Sequence, residues 1–193
     1  RYADDCNVYV RSPRAGHRVM GLLRRLYGRL RLRVNESKSA VDLANHRKIL
    51  GYSFANGPDR TVKLRVASKP LAVLKGRIRQ ITGRTGGRSM RQVIGELQEY
   101  LPGWRNYFSL AETPTTFDEL DKWIRRRLRA LYLKQWKRGP TTYRELRARG
   151  ASPYVAAAVA ANTSRWWRTS KRYLNTALPN SHFDALGLPR LSS

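Results

Sequence analysis

The chain has 193 residues, with 39 Lys plus Arg against 13 Asp plus Glu, a formal net charge of +26 and a pI near 11.4. So large a charge on so small a body repels itself and is relieved by a polyanion, which makes nucleic acid the expected partner and argues against a soluble enzyme of small metabolites. At 41% hydrophobic and 10% aromatic residues the chain can bury a core, unlike a disordered basic arm.

Other bounds follow. The single cysteine, Cys6, excludes an internal disulfide and a cysteine-based zinc site; it is expected to be small and buried, in a reducing, cytoplasmic setting. The longest apolar run, Val155 to Ala161, is far short of the ~20 residues that span a bilayer. The sequence opens on Arg1 rather than Met and shows no leader, as expected of a piece of a longer protein. Basicity runs throughout: residues 1–66 carry 15 basic and 5 acidic side chains, and residues 67–193 carry 24 and 8. Arg and Lys alternate with apolar residues instead of gathering in a tail.

In chain order, residues 1–10 read as a β-hairpin with a polar turn at Asp4-Asp5 and a strand over Asn7-Val8-Tyr9-Val10. Ala15 to Leu32 reads as an amphipathic helix with Val19, Leu22, Leu23, Leu26 and Leu30 on one face. Arg31 to Val34, Ile49 to Phe54 and Thr61 to Val66 alternate like strands of a small antiparallel sheet, with a turn at Asn56-Gly57-Pro58-Asp59.

After residue 66 the period changes from two to 3.6. A helix capped by Ser68, with Pro70 in its first turn, buries Leu71, Leu74, Ile78 and Ile81; Gly83 to Gly87 breaks it. Ser89 starts another, with Val93, Ile94 and Leu97 inside, ending at Pro102-Gly103. Thr116 to Glu119 fits a capping box opening the longest helix, whose stripe is Phe117, Leu120, Ile124, Leu128, Leu131 and Gln135 and whose solvent side is Lys122, Arg125, Arg126 and Arg129. Thr142 with Glu145, then Pro153 to Ala161, then Arg165 to Leu174 predict three further helices. The fold class is therefore α+β, a small sheet with a helix followed by an all-α part. The predicted domains are 1–66, 67–138 and a helical extension at 139–193.

Chemistry concentrates first at Asp4-Asp5. Adjacent carboxylates in a turn suit hard divalent cations such as Mg²⁺, and two such ions can serve phosphoryl transfer; the competing reading is a solvated acidic turn. Tyr2-Ala3-Asp4-Asp5 resembles the YADD motif of reverse transcriptases encoded by group II introns. Further segments follow in that family's order: Leu30 to Ser39, containing Asn35-Glu36-Ser37-Lys38, then Ile49 to Phe54, then Trp104-Arg105-Asn106-Tyr107-Phe108, then Ser181 to Pro189.

The resemblance implies a reverse transcriptase palm remnant at 1–66, a thumb and maturase domain at 67–138, and nucleic-acid binding by the extension. It implies an RNA-directed DNA polymerase that is also a splicing maturase, of bacterial type, taking intron RNA, an RNA template, a DNA primer and deoxynucleoside triphosphates. Asp4 and Asp5 would hold two Mg²⁺ ions, Tyr2 would stand beside them, Lys38 would lie near the nucleotide phosphates, and Leu50, Gly51 and Tyr52 would form the primer grip. The family's palm also needs a metal-binding aspartate upstream of YADD, so these 193 residues alone are expected to lack polymerase activity.

Lys38 reads otherwise as one more solvated lysine, and Gly51 as relief for a bulge. The RNA-binding candidates are Arg105, Asn106, Tyr107, Lys122, Arg125, Arg129, Arg165, Arg168, Lys171 and Arg172, with Trp104 and Phe108 inside and Arg127 paired to an acid. Trp166 and Trp167 beside these cations suit nucleic acid, one of them being structural. The competing functions are a non-catalytic RNA-binding maturase module and a basic ribonucleoprotein component.

Overall fold

The computed structural model describes residues 6–57, 61–171 and 173–192. The polar turn with Tyr2, Asp4 and Asp5, the residues Pro58 and Asp59, and Arg172 lie outside the described residues. The fold is α+β, a three-stranded sheet with a mainly helical remainder, in two compact units, Arg1–Leu64 and Arg65–Ser193.

In the first unit Ser12 caps helix α1 (Pro13–Arg29): its hydroxyl accepts the Ala15 N–H at 3.3 Å and Pro13 supplies a pre-set first turn. The helix stops short of the predicted Leu32. Arg31 adopts φ 56°, its N–H goes to Gly28 O, and the Leu32 N–H goes to Tyr27 O. This is a Schellman closure, and it takes the backbone donors that a strand at Arg31–Val34 would need, so that predicted strand does not form. Residues 7–10 are not a strand either; Tyr9 instead sets its ring edge-on to Phe54, centroids 5.8 Å apart. Cys6 is exposed, against expectation. Leu22 and Leu26 on the apolar stripe of α1, and Leu30 at its C-cap, also remain exposed.

The strand predicted over Ile49 to Phe54 is two strands. β1 (Lys48–Ile49) and β2 (Tyr52–Asn56) pair antiparallel, Lys48 opposite Ser53 and Ile49 opposite Tyr52. Leu50 and Gly51, with φ 49° and 79°, make the two-residue turn between them, whose twist matches that of the flanking strands. β3 (Val62–Val66) completes the order β1-β2-β3.

The second unit is built from α2 (Ser68–Ile81), α3 (Met90–Tyr107), α4 (Pro114–Trp136), α5 (Gly139–Ala148) and α6 (Pro153–Ala160), then three short helices, α7 (Trp166–Thr169), α8 (Leu174–Ala177) and α9 (Asn180–Ala185). Leu74, Ile78 and Ile81 of α2, Val93, Ile94, Leu97 and Leu101 of α3, and Phe117, Leu120, Ile124, Leu128 and Leu131 of α4 form its core. Burying such side chains contributes roughly 1.5–3 kcal/mol each.

Several helix ends differ from expectation. Ser68 is the first helical residue and caps nothing; Ala67 is the N-cap. Ser89 and Gln92 form a reciprocal capping box, Ser89 Oγ accepting from Gln92 N at 3.3 Å and Gln92 Oε1 accepting from Ser89 N at 2.8 Å. Helix α3 runs through Pro102 to Tyr107, because burial of Leu101 and Phe108 on either side outweighs the ~3 kcal/mol that an internal proline costs. α4 starts at Pro114, so Thr116 to Glu119 lies inside its first turns and makes no box. Gln135, placed on its apolar stripe, is exposed and donates to Arg88 O at 2.9 Å. Thr142 is buried within α5 instead of starting it, and Glu145 pairs with Arg149 at 2.7 Å. The helix predicted over Arg165 to Leu174 breaks into the 3₁₀ turn Thr163–Arg165, α7 and α8.

Candidate nucleic-acid interface

In the first unit, Asn35 organises the segment that carries Lys38: its side-chain oxygen accepts the Lys38 N–H at 3.2 Å and the Ser37 hydroxyl at 2.7 Å. Arg47 donates to Lys38 O at 3.0 Å, and the exposed Glu36 pairs with Arg24. Lys38 itself stays exposed. The predicted primer-grip residues are divided by the hairpin turn. Leu50 sits exposed at its tip, Gly51 beside it, and Tyr52 is buried as the first residue of β2. Among the described residues no group of three His, Cys, Asp or Glu is placed to hold a metal ion.

The second unit overturns part of the predicted RNA face. Arg125 and Arg129, expected on the solvent side of α4, are 2% and 3% exposed. With Asp121 they occupy positions i, i+4 and i+8 on one helix face, and that face is covered by the chain's last residues. The Asp121 carboxylate accepts the Leu191 N–H at 3.1 Å from both oxygens, the Ser192 N–H at 3.1 Å and the Ser192 hydroxyl at 2.8 Å. Arg125 lies 3.5 Å from Asp121 and donates to Asp184 at 2.9 Å; Arg190 also pairs with Asp184. Arg129 donates to Leu178 O at 2.8 Å and to Asn180 Oδ1 at 3.0 Å, with its guanidinium over the Phe183 ring. Burial, reinforced by the neighbouring Arg125 charge, lowers the Arg129 pKa to about 10, which leaves it protonated at neutral pH. Both arginines fasten the C-terminal segment and are closed to RNA.

Arg105, predicted to face outward, is tied down as well. It is half-buried, donates to Leu191 O at 2.7 Å and lies 4.9 Å from the Phe117 ring. Asn106 and Tyr107 beside it are exposed, as is Lys122 on α4. Phe108 is buried and Trp104 half-buried.

A different set of cations gathers around the tryptophans. Arg79 at the end of α2 and Arg127 of α4 flank Trp123, at 5.6 and 5.4 Å from its ring. Arg84, in the loop after α2, lies 3.3 Å over Trp166, and Arg126 lies 3.9 Å over Trp167 while donating to that residue's carbonyl at 3.0 Å. Arg127 donates to the Thr82 hydroxyl at 2.6 Å, not to an acid as expected. Burial first, and then the positive charges of Arg79 and Arg84, pull its pKa below the ordinary guanidinium value. Among the described residues none of Arg79, Arg84, Arg126 and Arg127 pairs with a carboxylate.

Converging guanidinium groups with no acid among the described residues, braced on indole faces, have the chemistry to take an anion with planar surfaces beside it. Sequence reasoning missed Arg79, Arg84 and Trp123, although the i, i+4 spacing of Trp123 and Arg127 was a legible signal.

Residues 71–150 match the family model of the group II intron maturase-specific domain. The match indicates a maturase role, in splicing of group II intron RNA. No curated protein matches the chain. The maturase-specific segment takes in most of α2, all of α3 and α4, and α5, and so contains Arg79, Arg84, Trp123, Arg126 and Arg127. Trp166, Trp167, Arg165, Arg168 and Lys171 lie beyond it. No helix among the described residues is long and apolar enough to cross a membrane.

Proposed function

We propose that the chain binds the RNA of a group II intron and holds it in a form that splices, with Arg79, Arg84 and Arg127 as the principal phosphate contacts. The observation that carries this reading is the convergence of those three guanidinium groups, from three separate stretches of the maturase-specific segment, with no acid between them. Each raises the electrostatic cost of the others, and a phosphodiester placed among them removes that cost. The Trp123 and Trp166 faces restrain all three long side chains beforehand, so less conformational entropy is lost on binding. Asn106, Tyr107 and Lys122 are further accessible contacts.

The test is a titration of the chain with a group II intron RNA and with an unrelated structured RNA of equal length. Tighter, salt-sensitive binding to the intron and faster splicing at limiting Mg²⁺ are expected, both weakened at least tenfold by the double substitution Arg79→Gln/Arg127→Gln. Equal affinity for the two RNAs overturns the reading.

The proposal extends to an intron-encoded reverse transcriptase on the resemblance of Tyr2 to Asp5, Leu30 to Ser39 and Ile49 to Phe54. Asp4 and Asp5 are the residues that would hold Mg²⁺, their carboxylates being the hard oxygen donors it prefers. When bound, the ions would supply positive charge for nucleotidyl transfer from a deoxynucleoside triphosphate to a DNA primer on an RNA template. Lys38 would stand near the nucleotide phosphates, and Leu50, Gly51 and Tyr52 near the primer. In the full-length intron-encoded protein Asp4→Ala should abolish primer extension; undiminished extension removes this part and leaves the RNA-binding maturase module.

A further inference from the structure

Asn162, Arg165, Arg168, Thr169 and Tyr173 line a pocket of about 180 Å³ beside α7, outside the segment that matches the maturase-specific domain. We propose that this pocket takes one unpaired nucleotide of RNA, its phosphate held by Arg165 and Arg168; the proposal rests on the RNA-binding reading above and adds a second site, next to the first on α7.

Three features converge. Arg165 and Arg168 are exposed and, among the described residues, their side chains have no hydrogen-bond or ion-pair partner. Two cations on one small pocket therefore face an anion-sized space with their donors unspent. The volume equals that of about six waters at ~30 Å³ each, enough for a phosphate and its sugar. A single strand is free to turn its backbone into such a recess.

The polar lining favours RNA. Thr169 spends its hydroxyl hydrogen on Asn162 O at 2.9 Å, and Asn162 spends one amide hydrogen on Ala158 O at 3.0 Å. What these side chains retain are mainly acceptor lone pairs, Asn162 Oδ1 and Thr169 Oγ1, which suit a 2′-hydroxyl donor that DNA lacks. Tyr173 adds a half-buried aromatic ring to the wall, a surface of the kind on which bases stack. The lining comes from Asn162 ahead of the 3₁₀ turn, Arg165 within it, Arg168 and Thr169 of α7, and Tyr173 at the start of α8.

The test uses the full chain and an eight-nucleotide single-stranded RNA carrying one central 4-thiouridine. We expect binding that the unlabelled strand competes and its duplex does not, a photocrosslink within the peptide spanning residues 162–173, and at least a tenfold loss of affinity in Arg165→Gln/Arg168→Gln with an unchanged far-ultraviolet spectrum. A DNA octamer of the same sequence should bind several-fold more weakly. Competition by duplex, equal binding of DNA, a crosslink elsewhere, or parental affinity in the folded double variant each overturns the proposal. Arg79→Gln/Arg127→Gln should leave the octamer crosslink in place while weakening intron RNA, so failure of this pocket and failure of the intron reading are separable.

Discussion

Arg125 and Asp184 stand 59 positions apart in sequence and meet at 2.9 Å, with Arg125 almost fully enclosed. The contact joins α4 to α9, and together with Asp121 and Arg129 it makes one face of α4 the seat of the C-terminal segment. A buried ion pair of this kind adds little net stability over an apolar pair, but removing one partner strands the other.

Asp121→Ala should therefore destabilise the second unit by roughly 3–5 kcal/mol, since it leaves Arg125 less compensated and frees the Leu191 and Ser192 N–H groups. Urea unfolding measures this, and a loss under about 1 kcal/mol would show that the clasp is not built as described. The lesion acts on folding, so RNA affinity measured well below the unfolding midpoint should hardly change.

A pH dependence follows from two groups near that clasp. His182 hydrogen-bonds Tyr132 at 3.2 Å, and burial, then Arg149 and Arg129, lower its pKa below 6.5. Its folded state binds protons more weakly than the unfolded chain, so its contribution is present above pH 6.5 and fades as the pH falls through 6.5 toward the folded value. The hydrogen bond from Arg190, aided by Arg125, lowers Asp184 below 3.8, and its contribution is lost only as the pH falls through 3.8 and below. Thermal midpoints should fall between pH 7.5 and 5.5, and His182→Gln should flatten that segment alone. A flat parental profile would contradict the placement of His182.

Gly187 has φ 83°, and its backbone closes α9 with Gly187 N to Asp184 O at 2.9 Å and Leu188 N to Phe183 O at 3.0 Å. A Cβ there would also collide with the Gln98 amide that donates to its carbonyl. Gly187→Ala should cost about 1–3 kcal/mol in calorimetry.

For RNA, salt dependence separates phosphate contacts from structural arginines. Arg79→Gln and Arg84→Gln should each reduce the slope of log affinity against log salt by about 0.7–0.9 without shifting the thermal midpoint. Arg129→Gln should do the reverse, lowering the midpoint while leaving the slope intact. An unchanged slope in the first two variants would remove them from the interface.

Much of the second unit was readable from periodicity. The apolar stripes of α2, α3 and α4 were legible because a 3.6-residue period names the residues that share a face. The same reasoning set Arg125 and Arg129 together correctly and then assigned them the wrong surroundings, because sharing a face says nothing about what that face meets. Positive-φ positions such as Arg31 and Leu50 were illegible for another reason: neither is glycine, and each is held by a helix closure or a hairpin register formed with other residues.

By itself the sequence determined that this protein is basic throughout, carries a core, places helices after residue 66 and offers far more cations than acids can neutralise. Only the tertiary structure decided which cations remain available. The C-terminal segment folds back on α3 and α4 to bury Arg125 and Arg129 and engage Arg105, while Arg79, Arg84 and Arg127 converge with no carboxylate partner among the described residues. That partition depends on contacts made between residues tens of positions apart, and no local pattern encodes it.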